Sequence, residues 1–511
     1  MKKVYFIALT VLLVSGFTLS LGAQSAMAAE KDKYGGILKY AVSKSPRSFG
    51  YPLKIRGAGQ EACGPAMELL VMINRKNETK PRLATGWEIS PDGKIFTFKL
   101  RKGVNFHDGT DFNAQAVKYN MDLWLKSPGN VLSNLKSVDI VDDYTVRLNF
   151  SEYDALIMYE MSTEAYMASP TALEKYGEKK SEITPVGTGP FKLKEFERNV
   201  ALKYERFDDY WQKGRPYLDG VEMITIKDPM TQIAALKTGE ILGIDQPAAK
   251  NGNLLKEQGN VVTVWFHVNR GMYGDSKNPD SVWSNRKVRE AIEYAIDKET
   301  IMKEVGFGYH KPLYQPVIPS NVYYNPNIKP RKYDPEKAKK LLAEAGYPNG
   351  FETTVTHMNS DFPESWVAIQ GYLAKVGIKL RVIPVDRPKY LKIRFEGGLK
   401  DGSSHVVFPS ENNYLYALKA YLMSTAPQYV DMARPKGFDD AVKNALKAKD
   451  PKEQMAFVHQ ATKILYDDVT FIPLNAQAKM FAMNKSVRDY DLTTYLSPIV
   501  DAFTNAWISK K

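Results

Sequence analysis

The sequence predicts an α/β protein, because helical and strand patterns alternate through the second half of the chain. A helical apolar stripe begins at Val288, a second helix spans 333–344, and a strand pattern at 379–385 follows another helical segment. Before residue 110 the pattern is instead one of short strands and turns. A length of 511 residues also exceeds that of one ordinary domain, so several domain-sized units are expected.

The segment 83–109 has the clearest local pattern. Ser90-Pro91-Asp92-Gly93 has turn chemistry, because Pro presets φ, Asp bonds its own backbone and Gly tolerates positive φ. Phe96, Phe98 and Leu100 then alternate with polar residues, as in a half-buried strand. His107-Asp108-Gly109 forms a second turn. The segment therefore predicts a β-hairpin bounded by turns.

The other elements follow from the same periodicities. Strands are predicted at 35–40, at 264–269, at 379–385 and on either side of Asp142-Asp143, and helices at 113–125, 288–296 and 333–344. In the last helix Asp334 can cap and Pro335 suits the first helical position. Its predicted buried face consists of Ala338, Leu341, Leu342 and Ala345.

Residues 1–28 have the layout of a secretory signal peptide. Lys2 and Lys3 precede the apolar run 4–14, and Ala26-Met27-Ala28 is a small-residue cleavage site. The run is shorter than the roughly 20 residues that span a bilayer. No cysteine near the cleavage site offers a lipid attachment point. We expect cleavage before Ala29 and export to the periplasm as a non-lipidated protein; the alternative is an uncleaved anchor.

Charge and cysteine content exclude several other classes. The formal net charge is +12, but the basic residues are interspersed with acidic ones rather than gathered on one element. Nucleic-acid binding is therefore not predicted, whereas a positive net charge would attract an anionic solute. Cys63 is the only cysteine, so no intrachain disulfide can form. We expect Cys63 to be a small buried hydrophobe, with a reactive thiol as the alternative.

The sequence shows no catalytic constellation. The six histidines form no H-E-x-x-H pair, and no G-x-S-x-G elbow is present. Gly187-Thr188-Gly189-Pro190 lacks the Gly-Lys of a phosphate loop, and Pro190 removes a backbone donor. Neighbouring acids such as Asp142-Asp143 do not face each other across a sugar. We therefore predict no enzyme activity, cofactor or metal site, and a secreted hydrolase is the weaker alternative.

Four segments in order carry a family resemblance. They are LATGWEISPDGKIFTFKLRKGVNFHDG at 83–109, VGTGPFKLKEFERNVALKYERFDDYW at 186–211, NRKVREAIEYAIDKETI at 285–301 and YDPEKAKKLLAEAGYPNG at 333–350. A shorter Ile472-Pro473-Leu474 segment extends the match. Together they resemble the signature segments of family 5 solute-binding proteins, the extracytoplasmic receptors of peptide and nickel ABC importers.

The resemblance implies a two-lobed periplasmic-binding-protein fold with a hinge, mixed sheets and an extra α+β subdomain in the first lobe. On this basis the first lobe is expected at 34–66, 187–282 and 487–511, with the subdomain inserted at 67–186. The second lobe is expected at 283–486. The return of the C-terminus to the first lobe is implied by the resemblance alone.

Two parts of the first lobe contribute predicted ligand contacts. If 264–269 is a strand, Trp265, His267 and Asn269 share one face, and Arg270 lies at its end. The alternative is that this face packs at the hinge. Residues 43–49 fall where family members line the first-lobe wall, so the resemblance adds Arg47. An arginine can hold a ligand carboxylate through a bidentate pair.

The second-lobe wall departs from the family pattern. Peptide-binding members carry a "DYPDP"-like stretch whose acid pairs with a peptide amine. The counterpart here, 405–414, has no Asp, although Glu411 lies nearby. His405, Phe408 and Tyr414 are the predicted contacts from this stretch, and the two aromatic residues can cover an apolar part of the ligand.

These features predict a monomeric receptor that captures one small solute or peptide-like ligand between its lobes and delivers it to an ABC permease. Only a ligand that binds the closed form better can shift the open–closed population. The basic residues and the missing Asp favour an anionic or neutral solute over an amine-anchored peptide. A receptor for nickel or a metal chelate, with His267 or His405 involved, is the alternative.

Overall fold

The computed structural model describes residues 32–127, 132–358, 363–408, 413–497 and 500–510. The strands within these ranges, β1 to β22 in chain order, are Ile37–Val42, Glu68–Leu69, Val71–Asn74, Thr79–Pro81, Ala84–Ile89, Ile95–Leu100, Leu135–Asp142, Thr145–Phe150, Tyr166–Met167, Phe191–Glu197, Ala201–Arg206, Gly220–Thr225, Gly243–Asp245, Val261–Gly274, Lys311–Pro312, Glu352–Met358, Lys379–Val385, Ser403–Phe408, Ile472–Met483, Val487–Arg488, Tyr495–Ser497 and Trp507–Ile508.

The α-helices of the same ranges, α1 to α15 in chain order, are Ala58–Cys63, Ala114–Leu125, Ile157–Thr163, Pro170–Ser181, Pro229–Thr238, Gly252–Glu257, Arg286–Ala295, Lys298–Glu304, Pro335–Glu344, Pro363–Ala374, Arg387–Glu396, Tyr414–Ala417, Phe438–Lys447, Pro451–Asp468 and Val500–Asn505. Short 3₁₀ turns lie at Pro52–Lys54, Ala249–Asn251 and Val282–Ser284, and Leu418–Leu422 is a π-helix.

One large mixed sheet organises the molecule. Its strand order is β10-β11-β12-β1-β13-β19-β14-β18-β16-β17, and β15 pairs with β19 off this path. The long antiparallel strands β14 and β19 lie at its centre. β19 pairs with β13 at one end, and β14 pairs with β18 at the other. These two strands therefore join the half of the sheet around β1 to the half around β16.

A smaller unit is built on the four-stranded sheet β5-β6-β8-β7. The helix α2 packs on it, and Trp124 of that helix is buried in the same core as Phe98 and Leu148. Asn113 caps α2 by accepting a hydrogen bond from Ala116 N at 3.1 Å. This unit is the α+β subdomain that the resemblance implies.

Separate hydrophobic cores accompany these units. One core joins β1, β11 and β12 to Phe503 and Ala506 near the C-terminus, and another lies inside the smaller unit. Two further cores hold side chains that come mainly from 272–474. The residue limits given above for the lobes stay a prediction.

Most of the local predictions are confirmed. β5 and β6 form the hairpin, with Phe96, Phe98 and Leu100 buried and Gly93 at a φ of 77°. The strands on either side of Asp142-Asp143 are β7 and β8, and α7 follows the stripe that begins at Val288. The other predicted elements correspond to β1, β14, β17, α2 and α9.

Two smaller predictions can also be compared with the structure. Asp334 caps α9 by accepting from Lys337 N at 2.9 Å. Ala338 and Leu342 are buried, whereas Leu341 and Ala345 of the predicted face are only partly buried. Cys63 is fully buried, and this burial raises the pKa of its thiol. The interpretation of Cys63 as a small buried hydrophobe is thus confirmed.

A buried polar network joins the motif segments. The Glu68 carboxylate is fully buried and accepts from Arg82 Nε at 2.5 Å, Thr188 Oγ1 at 2.8 Å and Trp211 Nε1 at 3.0 Å. Arg82 also bonds Asp501 and the Tyr210 hydroxyl. Residues that are far apart in the sequence therefore contact one ion pair, Glu68–Arg82. This network ties the subdomain and the C-terminus to the main sheet.

Candidate functional site

A cavity of about 730 Å³ lies beside the central strands of the main sheet. Its walls come from the loop after β1, from α1 and α3, from β13, β14 and β19, and from the segment that follows Asn413. Ligand pockets usually span about 300–1,000 Å³, so one small molecule fits. The side chains that carry charge or an aromatic ring in this lining are Tyr40, Lys44, Arg56, Glu61, Arg75, Tyr159, Glu164, Asp245, Trp265, Tyr416, Tyr421, Lys479 and Phe481.

Neighbouring strands bring distant residues together on the cavity floor. β19 lies between β13 and β14, with Lys479 opposite Trp265 and Phe481 opposite Asp245. Residues two apart on one strand share a face, so Lys479 lies diagonally next to Asp245 on the same face. The Lys479 ammonium lies 5.6 Å from the centre of the Trp265 ring. The sheet order thus creates a cluster that is absent from the linear sequence.

Helix α1 adds a second carboxylate above this floor. Its Gly59 packs against the loop after β1, because a Cβ at that position would lie 2.0 Å from the carbonyl oxygen of Ser48. This close approach directs the next turn of the helix at the cavity. Glu61 accepts a hydrogen bond from Lys479 there. Gly59 is therefore required for the position of Glu61.

The electrostatics of the cluster are set by burial. Asp245 is 8% exposed and accepts a hydrogen bond from Gln246 Nε2 at 3.1 Å. Burial, followed by the negative charge of Glu61, raises the pKa of Asp245 to about 7, although the Lys479 ammonium opposes the shift. Gln246 has a φ of 55°, in the left-handed region that non-glycine residues seldom occupy. Two carboxyl groups therefore share one lysine in this part of the cavity.

A second ion pair lies near α3. Arg56 Nη1 is 2.9 Å from Glu164 Oε2. Burial raises the pKa of Glu164, and the Arg56 guanidinium partly offsets this effect. Arg75, also at the cavity, donates to the carbonyl of Leu492 at 3.2 Å. The lining thus offers charged groups of both signs.

Two tyrosines from another part of the chain cover the cavity. Tyr416 lies in α12, which continues directly into the π-helix Leu418–Leu422 that carries Tyr421. Positions five apart differ by about 140° around a regular α-helix, whereas a π turn brings them towards one face. The Tyr416 ring also lies 5.3 Å from that of Tyr159 in α3. The π-helix therefore explains how both rings reach the same cavity.

The structure corrects the predicted face of β14. A β-bulge lies between Phe266 and Val268, which pair with the adjacent residues Ala478 and Gln477. The extra residue interrupts the alternation. Trp265 and Val268 consequently line the cavity, while Asn269 is fully buried and donates from Nδ2 to the carbonyl of Pro316 at 2.8 Å. Trp265 and Asn269 do not share a face as predicted.

The remaining predicted contacts lie at other places. Arg47 is exposed. Arg270 donates from Nε to Gln477 at 2.8 Å, and its Nη1 is 3.2 Å from His405 Nε2, with His405 itself buried. Tyr414 is fully buried, and its hydroxyl accepts from Thr462 Oγ1 at 3.3 Å. Of the five predicted contacts whose side chains the structure describes, none is in the cavity lining.

Three residues named in the sequence analysis lie partly or wholly outside the described ranges. The backbones of His267 and Phe408 belong to β14 and β18, but their side chains lie outside the described part of the chain. Glu411, named above as a nearby acid of the second-lobe wall, is also outside it. Ligand contact by the seven predicted residues stays a prediction.

Sequence reasoning missed Glu61, Asp245 and Lys479 because no local motif links them. Tyr416 and Tyr421 stand close to the predicted Tyr414, so their region was identified, but the π turn that directs them has no clear sequence signal. In the described ranges, no group of three or more His, Cys, Asp or Glu side chains is arranged to hold a metal ion. Nor does any helix of those ranges combine the length and apolarity of a membrane span.

Two half-sheets joined by shared central strands around one cavity define a two-lobed periplasmic binding protein, and similar solved structures have this fold. The family model for bacterial extracellular solute-binding proteins, family 5, middle part, matches residues 78–419. The chain belongs to family 5 of the bacterial extracellular solute-binding proteins.

Curated relatives and solved structures agree with this assignment. The glutathione-binding protein GsiB of Shigella flexneri is 32% identical over 435 residues, which cover 82% of this chain and 84% of that protein. The Escherichia coli K12 protein of the same name has the same identity and coverage. The periplasmic binding protein DppA of Helicobacter pylori, in complex with the peptide STSA, has a TM-score of 0.78 at 29% identity and covers 94% of this chain and 100% of its own.

A more distant structure shares the fold alone. NikA of Brucella suis, in complex with Fe(III)-EDTA, has a TM-score of 0.81 at 22% identity, with 92% of this chain and 99% of its own covered. The family consists of periplasmic, non-catalytic transport components that work with ABC permeases. This protein is accordingly a receptor that binds a small or peptide-like solute for an ABC importer.

Proposed function

We propose that the solute is a short, zwitterionic, peptide-like molecule held in the cavity between the two lobes. The observation that carries this proposal is the lining, in which carboxylates and cations face the same space beneath an aromatic cover. An ammonium group of the solute pairs with the carboxyl groups of Glu61 and Asp245. Its carboxylate pairs with cations such as Lys44, and the apolar part packs on Trp265.

The relatives support this choice of solute class. The names of the curated relatives specify glutathione, and the Helicobacter pylori structure contains a peptide. The acids of the cavity also support an amine-bearing solute in this proposal, whereas the sequence favoured an anionic or neutral one. Nickel or a metal chelate remains the alternative within the family, and no feature of this cavity specifically favours it.

Calorimetry with matched peptides tests the proposal. We expect the unblocked peptide Ser-Thr-Ser-Ala or glutathione to bind with a Kd of about 1 μM or tighter, which corresponds to about −8 kcal/mol. N-acetylated, C-amidated Ser-Thr-Ser-Ala lacks both charges and should bind at least about 10-fold more weakly, because charge-assisted hydrogen bonds are lost. Equal binding of the blocked and unblocked forms would contradict a zwitterion site, as would binding of a metal chelate alone.

We further propose that residues 1–28 are a cleaved signal peptide without lipid attachment, which the pattern of charges, apolar run and small residues supports. Protein recovered from the periplasmic fraction should begin near Ala29, as read by N-terminal sequencing. Detection of the intact N-terminus in the inner membrane would show that the segment is instead an anchor. Residues 1–31 lie outside the described ranges.

The receptor is also proposed to act as a monomer, without catalysis and without nucleic acid. The dispersed charge supports the absence of nucleic acid, and the dispersed histidines support the absence of catalysis. In the calorimetric experiment the peptide should be recovered unchanged by mass spectrometry. A shortened peptide would indicate a hydrolase, and light scattering of the same sample gives the oligomeric state.

A further inference from the structure

The segment that covers the cavity also carries a lysine that is not part of the lining. Lys419 lies between Tyr416 and Tyr421, and its Nζ is 2.6 Å from Asp154 Oδ2 and 3.8 Å from Glu160 Oε1. Asp154 is 7% exposed and Glu160 is 5% exposed. One cation therefore meets two buried carboxyl groups directly behind the aromatic cover.

This cluster bridges the smaller unit and the second lobe. Asp154 precedes α3 and Glu160 lies within it, whereas the helix of Lys419 packs in the core that contains α13 and α14. Ala155 N donates to the carbonyl of Leu446 at 2.9 Å across the same junction. Leu156 and Tyr159 of the α3 segment share this core, so separation of the lobes at this junction would withdraw the second-lobe side chains and admit water to the carboxyl groups. The cluster is thus specific to the arrangement in which the cover lies over the cavity.

The charges at the junction do not balance. Glu152 faces Lys419, and Glu164 faces Glu160, but Glu164 has its own partner in Arg56 at 2.9 Å. Tyr416 and Tyr421 add only neutral hydroxyl groups at ordinary pH. Burial raises the pKa of Glu160 to about 8, because the Lys419 ammonium offsets only part of the desolvation. Lys419 therefore does not neutralise both of its carboxyl partners.

We propose that Lys419 is the positioning residue that holds the tyrosine cover over the cavity, and that closure of the lobes takes up a proton at Glu160. The inference rests on capture between the lobes, and it does not depend on which solute is captured. Lys419 acts through Tyr416 and Tyr421, which line the cavity, and does not itself touch the solute.

The direction of the pH effect follows from linkage. In the closed form the pKa of Glu160 is about 8, and in water its carboxyl group returns towards its ordinary value of 4.5. The closed form therefore binds the extra proton, so acid favours closure and rising pH opposes it between about 4.5 and 8. One proton of difference changes the closed-to-open ratio by at most about 10-fold per pH unit. Above pH 8 the ratio should no longer change.

A distance measurement on the solute-free protein tests the inference. Lys136 in β7 and Lys340 in α9 are exposed, and replacing both with Cys gives labelling sites for fluorescence energy transfer. The single native thiol, Cys63, is fully buried and should stay unlabelled. From pH 8.5 to pH 5.5 the labelled protein should shift towards its closed separation. The E160Q variant, which mimics the neutral carboxyl group, should show that separation at every pH.

Variants of the lysine separate a positioning role from a general structural one. K419M should populate the open separation, whereas K419R should restore closure because it keeps the positive charge. If K419M does not fold, the label separations of E160Q and K419R still test the proposal. A pH-independent separation that is the same in the parent protein and in E160Q would overturn the proposal.

Titration with glutathione as the probe then distinguishes this inference from the choice of solute. If glutathione binds, raising the pH from 5.5 to 8 should lower its affinity for the parent protein relative to E160Q, because the ionisation of Asp245 in the cavity is common to both proteins. If glutathione does not bind but the solute-free distances depend on pH as described, the proposed solute is wrong and the closure mechanism stands. If glutathione binds with no pH-dependent difference between E160Q and the parent, the closure mechanism is wrong.

Discussion

Replacing Arg82 with Met should lower the free energy of unfolding by about 3–5 kcal/mol, because it removes one partner from a buried ion pair. The Glu68 carboxylate has no exposed surface and would be left buried without the guanidinium that pairs with it. Asp501, bonded to Arg82 at 2.5 Å, would lose the same partner. The substitution therefore weakens the attachment of the C-terminal segment and of the smaller unit together.

Urea unfolding followed by tryptophan fluorescence measures this effect, since Trp211 donates directly to Glu68. The matched control is Arg381→Met, which makes the same chemical change on an exposed part of β17. It should leave the midpoint unchanged. If Arg82→Met and the control unfold at the same urea concentration, the buried network does not hold these units together.

The location of this buried network explains why the resemblance to family 5 predicts the fold of the chain better than it predicts the identity of the solute. Thr188 of the GTGP segment and Tyr210-Trp211 of the following block bond the Glu68–Arg82 pair. In the segment 285–301, Arg289 donates to the carbonyl oxygen of Val469, and Glu293 is paired with Lys298 at 3.0 Å. In this chain the motif residues thus make buried polar contacts that hold the fold together and lie outside the cavity lining.

Sequence periodicity predicted the elements because each depends on residues close together in the chain. The hairpin at 83–109 and the capped helix α9 are examples, since turn chemistry and a cap act over a few residues. The cavity floor depends instead on the order β13-β19-β14, which places residues 245, 479 and 265 side by side. No sequence pattern within a single segment specifies that strand order.

Two irregularities account for further differences at the site. The bulge in β14 moves Asn269 off the face of Trp265, and strict alternation could not anticipate it. The π-helix brings Tyr421 to the cavity beside Tyr416, although helical spacing would separate them. Both irregularities lie at the candidate cavity, and departures from regular geometry often serve function. Site residues are therefore the part of this molecule least predictable from pattern.

Replacing Trp265 with Ala should weaken binding of the solute by about 30-fold or more, which corresponds to a loss of about 2 kcal/mol. The indole ring lines the cavity floor beside Lys479 and offers an apolar face there. Removing it withdraws the packing under the apolar part of the solute. It also leaves the Lys479 ammonium without its aromatic neighbour.

Calorimetry with the peptide that binds in the test above measures the change, with circular dichroism to confirm folding. Trp507→Ala is the matched control, because Trp507 lies in β22 away from the cavity lining and bonds Asp489 at 2.9 Å. It should bind as the parent does. His267→Ala, in the same strand, tests instead the ligand contact that the sequence predicted. If His267→Ala loses affinity and Trp265→Ala does not, the solute contacts the predicted residues instead, and the cavity described above is not its site.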